Sequence, residues 1–165
     1  MRILGIDPGL AIVGWGVLDY DGVRFKPVAY DSIQTPAGLP VETRLEQIYT
    51  DLNRIIDTYH PESVAIEELF FNTNTTTGII VSEARGVILL SCYQKKLSIQ
   101  EYTPLQVKQA VVGYGKAEKK QVIQMVTTIL NLPKPPKPDD TADALAIAIC
   151  HAHSNCSRLS PYFNH

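Results

Sequence analysis

Four carboxylates, Asp7, Glu67, Asp140 and Asp143, stand far apart in the chain but in related local settings. Asp7 closes the apolar run that starts the chain, Glu67 closes a second, and Asp140 and Asp143 open a third that ends at Cys150. Residues three apart at the start of a helix share a face, so the last two can point together. Carboxylates converging from separate elements make a set of hard oxygen ligands, which Mg²⁺ or Mn²⁺ selects. Each also has a plainer reading: Asp7 before Pro8 and Gly9 as a turn acceptor, Glu67 as a strand's exit into solvent, Asp139 or Asp140 as a helix cap. Anions held together without a counter-charge are costly, so their joint placement points to a bound cation. Asp139 falls elsewhere on its turn. Glu68 alternates away from Glu67 if the strand persists, and neither residue joins the set.

The elements that must bring these residues together follow from periodicity. Arg2 to Asp7 reads as a buried strand stopped by Pro8 and Gly9. Ala11 to Leu18 and Val23 to Ile33 read as two hairpin-linked strands, and Pro40 to Tyr59 as an amphipathic helix. Ser63 to Ile66 and Leu97 to Tyr102 are strands joined by a helix from about Thr77 to Tyr93, a crossover unit. Three further helices are expected over Pro104 to Val112, Ala117 to Leu132 and Asp140 to about His153, with the last two separated by the proline-rich Pro133 to Pro138. The order predicts one α/β domain over residues 1–153, a mixed five-stranded sheet flanked by helices, and a flexible tail over residues 154–165.

Length and composition agree with that plan. A chain of 165 residues, 45% of them apolar, supplies one sizeable core. No apolar run approaches the roughly 20 residues that span a membrane, so the expected location is cytoplasmic. Cys92, Cys150 and Cys156 form no C-x-x-C pair and read as buried thiols. The net charge of −2 hides an uneven distribution: residues 1–93 carry 6 basic and 12 acidic side chains, whereas residues 94–137 carry 8 lysines against Glu101 and Glu118. That +6 segment is either a solvated helix face or a surface for phosphates.

The helix from Thr77 has almost no polar stripe, so it must bury more than one face, against later helices or a second copy of the chain. Phe70 and Phe71 are unusual for the loop after Glu67. His151 and His153 do not share a helical face, and His151 lies ~16 Å along the axis from Asp140 at ~1.5 Å per residue, too far to share an ion with it.

Together GIDPG at 5–9, AIE at 65–67, ARGV at 84–87, QVKQAVVGYGKAEKKQV at 106–122 and DDTADALAIAI at 139–149 resemble the RuvC family, bacterial Holliday junction resolvases, to about His153. The resemblance implies a ribonuclease H-like fold, a homodimer, and Mg²⁺-dependent endonuclease action on four-way DNA junctions in recombination and repair. It assigns metal binding to Asp7, Glu67, Asp140 and Asp143, with two Mg²⁺ per site and Mn²⁺ able to substitute, and products ending in 5′-phosphate and 3′-hydroxyl. It assigns DNA contact to Lys108 and Lys119, with Lys116 and Lys120 as helpers, and base stacking to an aromatic at Phe70, Phe71 being the alternative. It also implies partnership with a junction-binding and branch-migration complex of the RuvA and RuvB type.

Three other readings are kept in view. A ribonuclease H-like nuclease acting on RNA or another branched DNA would use the same carboxylates. A non-catalytic DNA-binding module would gain nothing by presenting four anions to phosphates. A sugar-kinase or actin-like ATPase also starts with a strand ending in Asp and Gly, but needs two such domains.

Overall fold

The structure, a computed structural model, describes residues 1–68 and 75–158, without the side chains of residues 75–77 and 156–158. Five strands, β1 (Arg2–Asp7), β2 (Ile12–Tyr20), β3 (Phe25–Gln34), β4 (Ser63–Glu67) and β5 (Ser98–Tyr102), form one sheet in the order β3-β2-β1-β4-β5. The first three are antiparallel neighbours, and β4 and β5 extend the sheet in parallel from β1. The mixed sheet follows from the connections: a short turn joins β1 to β2, whereas α1 (Val41–Tyr59) and α2 (Thr75–Gln94) carry the chain to β4 and β5. The remaining helices are α3 (Pro104–Val112), α4 (Lys119–Ile129) and α5 (Asp139–Arg158).

Alternation along the strands sorts the core into two layers. Ile3 of β1 and Ala65 of β4 face α3, α4 and α5, whereas Leu4, Ile6, Val64 and Ile66 face α1 and α2. Cys92 and Cys150 are buried free thiols, and burial pushes them up to about 12 and about 11, the latter against a hydrogen bond with Ser154.

Some helix ends differ from the sequence expectation. α4 begins at Lys119 rather than Ala117 because Glu118 takes the cap position, its N–H bonded to the Gln121 side chain at 2.8 Å. It ends at Ile129 rather than Leu132, with Asn131 in the left-handed region at φ 49°. α2 starts two residues earlier than expected, and α5 continues to Arg158 instead of stopping near His153. In the single chain α2 does not bury two faces. Ala84, Ile88 and Cys92 are buried, while Ile79, Leu90 and Tyr93 remain exposed.

Candidate active site

Asp7 and Glu67 end parallel neighbouring strands whose register pairs Ile6 with Ile66, so both carboxylates leave the sheet at one end. Alternation puts them on the α5 side, since Asp7 follows Ile3 and Gly5 at even spacing and Glu67 follows Ala65. Asp7 is also the register partner of Gly14 on β2. A Cβ on Gly14 would lie 2.0 Å from the Asp140 carbonyl oxygen, and one on Gly5 would lie 2.1 Å from that of Ala144. On Gly16 a Cβ would come 2.5 Å from Leu145. These three positions form a track without side chains on which α5 rests directly against the sheet. The close seat carries Asp140 and Asp143 to the end of β1.

The electrostatics record the resulting crowding. Burial, then the charges of Glu67, Asp143 and Asp140, hold the Asp7 carboxyl well above the usual carboxylate range, with Lys119 opposing. Burial, then Asp143, raises Glu67, against Lys119 and Lys108. Burial also raises Asp143, with the Lys119 hydrogen bond and charge opposing it. The Lys119 ammonium sits 2.8 Å from Asp143 Oδ2. Its own burial lowers it, but Asp143, Asp139 and Asp140 together leave it above the usual lysine value.

Among the described residues, no group of three or more His, Cys, Asp or Glu side chains is arranged to hold a metal ion. The four carboxylates are electrostatic neighbours with like charges, and Asp143 is turned to Lys119. The donor set still fits a hard divalent cation: its members are all carboxylates, they sit on adjoining backbone elements, and their mutual repulsion is relieved by positive charge.

Glu67, Asp143, Lys108 and Lys119 line a cavity of about 200 Å³ backed by Val107 and Ile147. Lys108 is presented by α3, which starts at a reciprocal cap between Thr103 and Gln106 and stops at Gly113, φ 95°. Lys119 owes its place to the start of α4. Lys116 and Lys120 are exposed, and Lys120 borders a separate groove with Lys137. Asp139 pairs with Lys137 at 2.9 Å. His151 is buried, with Nδ1 2.9 Å from the Tyr102 hydroxyl and Nε2 3.0 Å from Ser63 Oγ, and so ties α5 to β4 and β5. Phe70 and Phe71 lie outside the described residues.

Two features of the site escaped sequence reasoning. One is the glycine track, for which alternate glycines at 14 and 16, opposite Gly5, were the available signal. The other is Arg85 of α2, whose Nε donates to the Glu67 carbonyl at 3.4 Å and whose Nη2 lies 2.9 Å from Glu101 Oε2. Arg85 thereby braces the strand end that presents Glu67.

The model of the family described as crossover junction endodeoxyribonuclease RuvC matches residues 3–151. A protein of that description from Alkaliphilus oremlandii is 60% identical over 154 residues, covering 93% of this chain and 94% of the relative. One from Clostridioides difficile is 56% identical over 155 residues, covering 94% and 92%. Among solved structures, T. thermophilus RuvC in complex with a Holliday junction substrate superposes with a TM-score of 0.91 at 34% identity, covering 96% of each chain. The yeast mitochondrial Holliday junction resolvase Ydc2, at 14% identity and a TM-score of 0.65, shares the fold.

Proposed function

This chain belongs to the RuvC family, and from that premise we propose how its own residues resolve a four-way DNA junction. It is a crossover junction endonuclease with the ribonuclease H-like fold and the family's divalent-metal requirement. The observation that supports this choice of active site is the electrostatic coupling of Asp7 to Glu67, Asp143 and Asp140, two of which, Glu67 and Asp143, line the cavity of Lys108 and Lys119.

Asp7, Glu67, Asp140 and Asp143 would hold two Mg²⁺, with Mn²⁺ able to substitute. Bound there, such ions supply Lewis acidity at the scissile phosphate and offset the charge of the leaving oxygen. Lys108 and Lys119 draw the phosphodiester into the cavity by charge, and Lys119 also balances Asp143. Water attacks phosphorus in line with the 3′ oxygen and the P–O3′ bond breaks, leaving a 5′-phosphate and a 3′-hydroxyl. Lys116 and Lys120 extend the basic surface along the DNA. Phe70, or Phe71 in its place, stacks on a base exposed at the crossover.

The molecule acts as a homodimer, for which the exposed side of α2 is the support. Ile79, Glu83, Gly86, Leu90 and Tyr93 recur at intervals of four and three, a stripe suited to a second helix. A twofold dimer places one active site on each of two equivalent strands of a junction. The proposed setting is cytoplasmic, alongside a branch-migration complex of the RuvA and RuvB type. No helix among the described residues is long and apolar enough to cross a membrane.

The test is cleavage, with Mg²⁺, of a synthetic four-way junction and of linear duplexes with the same sequences. Paired, symmetry-related nicks in the junction alone are expected. Equal cutting of the duplex, or of RNA, would replace this reading with a general nuclease.

A further inference from the structure

Two cavities flank the carboxylate group, and the second lies apart from Lys108 and Lys119. It has a volume of about 490 Å³ and lies where β1 turns into β2, with Leu10, Ile12, Val41 and Val81 as apolar walls and Arg44 and Asp140 as its charged residues. Pro8 and Gly9, which follow Asp7 directly, form part of its rim. The size falls within the range of small-ligand sites, roughly 300–1,000 Å³, and apolar walls with a few placed charges are their usual lining.

Arg44 is fixed relative to this cavity. Its Nε donates to Thr35 Oγ1 at 2.8 Å and its Nη2 to the Thr35 carbonyl at 3.5 Å. Thr35 is buried, and its hydroxyl donates in turn to the Leu10 carbonyl. The guanidinium is therefore tied to the loop that leaves Asp7. Those bonds use two of its five N–H groups, and its charge persists at any working pH.

A DNA strand cut at the carboxylates must continue past them in both directions. One direction is served by the cavity of Lys108 and Lys119. Asp140 belongs both to the carboxylate group and to the second cavity, so a strand leaving on that side meets apolar walls fit for a sugar or base and one cation fit for a phosphate. We propose that the second cavity receives the nucleotide on the far side of the scissile phosphodiester from Lys108 and Lys119, with Arg44 pairing to its flanking phosphate. This rests on the nuclease reading above and extends its substrate site.

The test uses junctions that each carry a single uncharged methylphosphonate, placed in turn at phosphates on either side of the cut. Single-turnover cleavage is compared for the wild type, Arg44→Ala and Arg44→Lys. At one phosphate, confined to one side of the cut, neutralisation should slow the wild type about tenfold, the size expected for one charge-assisted contact. It should slow Arg44→Ala less than about twofold, with Arg44→Lys between, as coupled partners behave in a double-mutant cycle. Equal responses of wild type and Arg44→Ala at every phosphate would overturn the proposal, because an arginine that merely props the loop through Thr35 slows all junctions alike. Failure of the wild type to cut even the unmodified junction would instead overturn the nuclease reading, and this inference with it.

Discussion

The Lys119 ammonium lies 2.8 Å from Asp143 Oδ2, in the cavity that Glu67 and Lys108 also line. One side chain thus stands between a proposed metal-ligand carboxylate and the place where a phosphate would sit. Lys119→Ala should lower single-turnover junction cleavage by about 10²-fold, the scale of removing one preorganised charge from a transition state. Its junction Kd should rise only a few-fold, because it is one positive charge among several. An affinity loss as large as the rate loss would make Lys119 a binding residue alone.

Lys108, unlike Lys119, forms no salt bridge among the described residues and should behave differently. Lys108→Ala is expected to weaken junction binding and to reduce the slope of log K against log salt by about 1, the signature of one lost phosphate contact. Titrations over a range of salt concentrations measure this directly. An unchanged slope would return Lys108 to a solvated helix face.

The raised Asp7 carboxyl carries a stability prediction with a definite sign. A carboxyl whose folded pKa exceeds its unfolded value holds its proton more tightly in the native state. Its contribution therefore favours folding at low pH and is lost as pH rises from the ordinary carboxylate range through the raised value. In chelator, Asp7→Asn should melt above wild type at about pH 8, and the gap should close as pH falls towards the ordinary range. Added Mg²⁺ should raise the wild-type Tm and leave Asp7→Asn nearly unmoved. Equal melting of the two proteins in chelator at every pH would contradict the crowding described.

Gly14 is a position where added volume should reach the active site. Its Cβ would fall 2.0 Å from the Asp140 carbonyl oxygen, so Gly14→Ala must displace the start of α5. A cost of about 1–3 kcal/mol is expected from such overpacking. Cleavage should fall by about 10²-fold through misplacement of Asp140 and Asp143. Denaturant melts and single-turnover rates separate the two effects.

The proposed dimer rests on the α2 stripe. Leu90 is 52% exposed and Tyr93 76% exposed in the single chain, large apolar surfaces for one helix to leave in water. Leu90→Glu should yield a monomer in sedimentation and uncouple the paired nicks. A wild type that sediments as a monomer at all concentrations would remove the dimer.

The strand and helix order could be read from periodicity because each element here keeps its pattern almost to its ends. Asp7 and Glu67 were visible for the same reason: each interrupts an apolar run at the point where a strand stops. How the four carboxylates become electrostatic neighbours is not visible in the sequence. That depends on Gly5, Gly14 and Gly16, whose contribution is the absence of side chains under α5, and glycines in strands ordinarily register only as weak strand formers. The role of Arg85 is not legible in the sequence because its partners, Glu67 and Glu101, are distant in sequence and belong to other elements. Polar residues after His153 weaken the apolar pattern, so periodicity marks the end of α5 there, although the helix continues to Arg158. The lysine-rich segment marked a basic surface but left open that Lys119 also faces Asp143, since charge counts carry no direction.

The most direct measurement compares the wild type with Asp7→Asn, Glu67→Gln, Asp140→Asn and Asp143→Asn, scoring cleavage and binding of one four-way junction in Mg²⁺. If the four carboxylates act as one reaction centre, each substitution should cut the rate by at least about 10³-fold and leave junction affinity within a few-fold or tighter, since each removes an anion facing phosphate. A variant that cleaves within about tenfold of wild type would take its residue out of the centre. Cleavage surviving in Asp7→Asn would contradict the account at its core.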